Sequence, residues 1–169
     1  MKQDFETSWA TGSMTGHLSK LAIAAVDRGA LPIVADIYAG GLHVACSLPV
    51  RDRRSPIDHA EISLLRSLGY GLRTLPRPVV LLATLEPCVM CFAAAGTTAV
   101  DVIGYVLPAF GDGVEQSLIS GSAQNVPRLV RVGSPELIGC LFERFVVENP
   151  DSRYAEYATG VVARLKEES

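Results

Sequence analysis

Apolar and polar residues recur with two different periods along this 169-residue chain, and the switches between the periods outline its elements. Over residues 16–28, Leu18, Leu21, Ala22, Ile23, Ala25 and Val26 recur at helical spacing, and Gly29 and Pro32 stop the run. Residues 33–38 and 42–48 are β-rich. The Gly40-Gly41 pair between them predicts a tight hairpin whose central residues take positive φ. After a polar loop over 49–56, Asp58 is placed to cap a helix over 59–68, with Ile62, Leu65 and Leu68 on one face and Gly69-Tyr70-Gly71 at its end. Residues 79–84 are apolar throughout, which predicts a central strand covered on both faces.

An alanine-rich helix is expected over 88–98 and a strand over 100–107. A glycine-rich loop over 108–127 leads to a short strand at 129–132. Ser134 and Pro135 open a helix that runs to about Val147. The last helix is expected over 151–167, with Tyr154, Tyr157, Val161 and Leu165 on one stripe. Helix, buried strand and helix in succession require crossovers that return over the sheet, so the pattern predicts an α/β fold with parallel strands.

Composition narrows this picture. At 49% hydrophobic, the chain can bury one sizeable core, and residues 1–169 read as a single domain, with 151–167 available as a lid or a dimer element. The longest apolar run, 78–85, is too short to span a bilayer. The stretch Met1-Lys2-Gln3-Asp4-Phe5-Glu6-Thr7 has no charged-then-apolar pattern. A cytoplasmic protein without a membrane partner is expected. A formal charge of -3 argues against a broad nucleic-acid surface, although Arg51, Arg53 and Arg54 could meet a phosphate.

The chemistry concentrates in Thr84-Leu85-Glu86-Pro87-Cys88-Val89-Met90-Cys91. Taken alone, Cys-x-x-Cys serves equally as a redox pair, a metal clamp or core packing. With Pro87 at a helix start, residues three apart share a face, and the first turn's free N–H groups favour thiolates. His59 opens the preceding helix, one strand away, and would begin at the same sheet edge. One imidazole and two thiolates suit zinc and leave a fourth position open, which is the catalytic rather than the structural pattern. Glu61, two residues on, could move a proton without touching the metal. Cys46 and Cys140 read as small core hydrophobes. His17 and His43 have no such companions in the sequence and read as surface or partly buried residues.

His59-Ala60-Glu61 followed by Pro87-Cys88-Val89-Met90-Cys91 resembles the signature of the cytidine deaminase superfamily, and its wording is similar to the tRNA adenosine, guanine and cytosine deaminase branch. The resemblance covers about residues 17–147. It implies a three-layer α/β/α sandwich around a five-stranded mixed sheet. It also implies one zinc per chain held by His59, Cys88 and Cys91, with Glu61 as the catalytic proton carrier. The backbone N–H groups of Ala60 and Cys88 would face substrate or water. Relatives carry a substrate-contacting asparagine shortly before the zinc histidine, where this chain has Ser47-Leu48, so Ser47 stands in the substrate-binding position. The loop after the fourth strand would place Phe110 and Asp112 at the pocket.

The expected function is hydrolytic deamination of a small nucleobase, nucleoside or related amino-heterocycle by a homodimer. Deamination of tRNA adenosine is the alternative, and a catalytically silent, zinc-stabilised binding domain is the alternative of another class.

Overall fold

A computed structural model describes residues 12–49, 55–109, 113 and 126–167. Among them the chain runs α1 (Gly12–Val26), β1 (Ala35–Ala39), β2 (Leu42–Ser47), α2 (Ala60–Leu68), β3 (Val79–Leu85), α3 (Val89–Thr97), β4 (Val102–Leu107), β5 (Arg128–Arg131), α4 (Pro135–Glu148) and α5 (Ala155–Glu167). A 3-10 turn, Gly69–Thr74, joins α2 to β3. The sheet order is β2-β1-β3-β4-β5. β3, β4 and β5 are parallel, and β1 is antiparallel to both its neighbours, so the sheet is mixed.

Every residue of β3 is buried, as a strand covered on both faces requires. Alternate residues of the sheet feed two cores. Tyr38, Val80, Leu82, Val102 and Val106 belong to the core that includes Leu18 of α1, Phe142 and Phe145 of α4 and Val161 of α5. Ala35, Ile37, Val79, Leu81 and Ile103 pack with Leu64 of α2 and Phe92 of α3. Helices therefore cover both faces, giving three layers. Phe142 and Phe145 are fully buried, and each stabilises the fold by roughly 1.5–3 kcal/mol relative to an exposed side chain.

The hairpin has the predicted backbone, with φ of 55° at Gly40 and 84° at Gly41. Several boundaries move. α1 begins at Gly12, and β4 only at Val102. Asp58 is not the cap of α2. His59 occupies that position in extended conformation, φ −84° and ψ 150°, because its imidazole is turned toward the cysteines rather than along the helix. α5 begins at Ala155, not at residue 151. Ser152 instead makes turns, its N–H bonding Asn149 O at 3.1 Å and its hydroxyl accepting from Tyr154 N–H at 3.3 Å. Cys46 and Cys140 are exposed rather than in the core. β2 is the edge strand, and α4 turns Ile138, Leu141, Phe142 and Phe145 inward, which leaves Cys140 on its outer side.

Candidate active site

β3 brings the site together by ending at Leu85. Pro87 restricts Glu86 to extended backbone, so the chain leaves the sheet straight into α3. Cys88 is the N-cap of α3, φ −69° and ψ 166°, and Cys91 lies three residues on in the first turn. An N-cap side chain folds back over that third position, which is what brings the two sulfurs together. They lie 3.6 Å apart. α2 starts at the same end of the sheet, and His59 Nδ1 stands 3.4 Å from Cys91 Sγ and 3.7 Å from Cys88 Sγ.

Those separations test whether a metal fits. Zinc–sulfur bonds of about 2.3 Å and zinc–nitrogen bonds of about 2.0–2.1 Å at tetrahedral angles place two sulfurs about 3.8 Å apart and sulfur and nitrogen about 3.6 Å apart. All three observed distances fall within a few tenths of an ångström of those edges, so the donor set fits zinc. The first-turn N–H groups of α3 add positive field where the thiolates sit.

The cysteines differ electrostatically. Cys88 is pulled down to about 4, first by its hydrogen bond with Cys91 and then by His59, against the opposing effect of burial. Cys91 is pushed up by the same shared bond, by burial and by the carboxylate of Glu61. The shared bond thus favours the thiolate at Cys88 over Cys91, and binding a cation to both sulfurs would release the remaining proton.

Glu61 sits in the first turn of α2, 4% exposed, where the positive end of the helix favours a carboxylate. A cavity of about 230 Å³ opens beside these residues, and His59, Glu61, Glu86 and Cys88 form its polar wall. Leu31, Ile33, Leu85, Ala109, Tyr154 and Tyr157 form the rest.

The other expected contacts are distributed differently. Ala60 is buried as the first residue of α2, and Ser47 ends β2 opposite Ala35; neither is among the described residues lining the cavity. Phe110 and Asp112 lie outside the described residues. Gly113, between them and the rest of that loop, forms a β-bridge with Cys88, and a Cβ there would run into the Glu86 carboxylate.

Glu86 was not expected at the site. It is 3% exposed, and its Oε2 accepts the Ala109 N–H at 3.0 Å. An acid directly before Pro87-Cys88, at the end of an otherwise apolar strand, is the signal that could have revealed it.

No family model matches the chain, and no curated protein matches it significantly. Solved structures do. A tRNA:A34 deaminase studied for A-to-I editing at the wobble position of transfer RNA superposes with a TM-score of 0.61 at 22% identity, over 75% of this chain and 99% of that one. The guanine deaminase from Nitrosomonas europaea gives 0.60 at 21%, over 78% and 82%. RibD from Acinetobacter baumannii gives 0.55 at 19%, over 77% of this chain and 38% of its own.

The fold is cytidine deaminase-like. At these identities the likeness is one of fold. Among the described residues no helix is long and apolar enough to cross a membrane.

Proposed function

We propose that the protein is a zinc-dependent hydrolytic deaminase that replaces the exocyclic amine of a small nucleobase, nucleoside or related amino-heterocycle with a carbonyl, consuming water and releasing ammonia. One observation carries this reading: a donor set spaced for zinc and a buried carboxylate border one cavity whose remaining wall is largely apolar.

His59, Cys88 and Cys91 would hold the ion, which when bound supplies Lewis-acid activation of water. The chain's own residues do the rest. Glu61 accepts a proton from the attacking water and passes it to the ring nitrogen beside the reacting carbon; it then takes the remaining proton of the added hydroxyl and delivers it to the amine, so that the C–N bond breaks as the carbonyl forms and ammonia leaves. Tyr154, Tyr157, Leu31 and Ile33 exclude bulk water and press on the ring. Glu86 presents an acceptor to ring N–H or amino groups.

The cavity is smaller than the roughly 300–1,000 Å³ clefts that take drug-sized ligands, which suits a single heterocycle. The structure known as NE0047 holds 8-azaguanine in one case and 2,6-diaminopurine in another, ligands of that size. The tRNA:A34 deaminase, covered over 99% of its length, supports transfer RNA adenosine as the second reading. Charge opposes it, because 18 acidic residues outweigh 15 basic ones and a polyanion needs clustered Lys and Arg.

The reading includes a homodimer, with α3 as the contact, since Val89 is 41% exposed on a helix otherwise rich in alanine. It also includes a cytoplasmic location, where Cys88 and Cys91 stay reduced and available.

Ammonia release measured across aminopurines, aminopyrimidines, triazines, their nucleosides and a tRNA anticodon arm tests the substrate. Turnover of a free compound that is insensitive to salt is expected. Inosine formed only in the anticodon arm, with steep salt dependence, would reverse the two readings.

A further inference from the structure

A second group of ligating side chains lies on the opposite face of the sheet. We propose that His17, Asp36 and His43 form a second divalent-metal site, of the class that takes zinc, bringing the capacity of the chain to two ions. Nδ1 of His17, Nε2 of His43 and the carboxylate of Asp36 all lie within 4.8 Å of one another. Each imidazole holds a different oxygen, His17 Nδ1 at 2.7 Å from Oδ2 and His43 Nε2 at 2.9 Å from Oδ1. The rings meet edge to face, with centroids 4.7 Å apart. Two imidazoles and one carboxylate are a donor set for zinc and its first-row neighbours.

Burial supplies the reason for a cation. The Asp36 side chain is 0% exposed, and among the described residues its only ion-pair partners are these two histidines. The Tyr38 hydroxyl adds a 3.4 Å hydrogen bond, which carries no charge. A carboxylate removed from water needs a compensating positive charge. A divalent ion provides it and uses the imidazole lone pairs as well.

His17 and His43 stand at hydrogen-bond rather than coordination distance from Asp36. Metal–ligand bonds of about 2.0–2.1 Å at tetrahedral angles need donors about 3.3–3.4 Å apart. The two contacts must therefore lengthen by about half an ångström, from hydrogen-bond to coordination geometry. Both imidazoles can move, because each side chain is 40% exposed, and this exposure also gives an ion its path from solvent.

The backbone is shaped for this meeting. β1 and β2 pair Ile37 with Ala45 and then Tyr38 with His43, so Val44 is an extra, bulged residue. The two-residue Gly40-Gly41 turn pairs Ala39 with Leu42 and Tyr38 with His43, which sets His43 on the face of Tyr38 and Asp36. Beyond it the bulge puts Val44 and Ala45 together against the other core. Sequence alone gave His17 and His43 no companions; the hairpin register and the packing of α1 provide them.

Zinc titration of the chelator-treated full chain, followed calorimetrically and by metal analysis after gel filtration, tests the site. Two equivalents are expected in the wild type, the second with a micromolar Kd. The Cys88→Ala/Cys91→Ala variant and the His17→Ala/His43→Ala variant should each keep one, and zinc should raise the Tm of the first. Binding of only one equivalent by the wild type overturns the proposal whatever happens to the variants, and so does a histidine variant that still binds two. Neither outcome depends on deaminase activity, so the second site and the proposed function can fail separately.

Discussion

Two histidine clusters sit on opposite faces of one sheet, and the distances within them differ in a way that separates their resting states. Around His59 the donors stand 3.4 to 3.7 Å apart, spaced for an ion they do not need to move to receive. Around Asp36 they stand at 2.7 and 2.9 Å, drawn together by shared protons. The first cluster is set by two helix starts, where backbone N–H groups stabilise anions and N-cap geometry fixes the side chains. The second hangs on an edge strand and a helix surface, where side chains are free to close on one another. A rigid frame holds a site open, and a compliant one lets it collapse onto hydrogen bonds until a ligand reopens it.

The comparison is broken most directly at Glu61. Glu61→Gln should lower turnover by about 10²- to 10⁴-fold while both clusters keep their metal, because the residue moves protons and is not a ligand. Paired ammonia and zinc assays check this, and a variant that loses zinc along with activity would make Glu61 part of the metal frame. Next in size is Cys91→Ala, which should remove the ion of the first cluster alone. A loss of ~2 kcal/mol there would lower Tm by about 4–8 °C for a domain of this size, read by thermal denaturation.

Tyr157→Ala changes the cavity wall beside the first cluster without touching its donors. KM should rise about tenfold, the equivalent of about 1.4 kcal/mol of lost ring contact, with a smaller change in kcat. Steady-state kinetics on the best substrate of the panel would show it. The smallest effect belongs to the second cluster. Tyr38→Phe removes one long hydrogen bond to Asp36 and should cost less than about 1 kcal/mol in urea unfolding, with zinc stoichiometry unchanged.

The sequence made one of these clusters legible and hid the other. His59, Cys88 and Cys91 sit at starts of elements whose periodicity is strong, and the strand between them is apolar at every position but Thr84. Local rules were enough to bring them to one sheet end. Asp36 was visible only as one charge inside a β-rich run, and its partners arrive from a helix 19 residues earlier and from across a hairpin whose register slips at Val44. Glu86 was hidden for a related reason, while Tyr154 and Tyr157 were legible as the stripe of a lid or dimer element but not as the wall of this cavity. Their roles depend on Ala109 and on how α5 docks, both settled by tertiary packing.

That docking has an evolutionary side. α5 leans on α4 where Gly139 leaves room, since a Cβ there would meet Leu165 Cδ1 at 3.2 Å, and an exposed Lys166–Glu143 pair at 3.0 Å adds little to the contact. The residues that would break and make bonds come from the middle of the chain, between His59 and Cys91, while Tyr154 and Tyr157 come from its last segment. Chemistry and taste are thus written in separate stretches of the gene. Substitutions near residue 157, or at Gly139 where α5 rests on α4, can reshape what the cavity accepts while His59, Glu61, Cys88 and Cys91 stay in register, so under the proposed function a lineage could change its heterocycle without rebuilding the reacting groups.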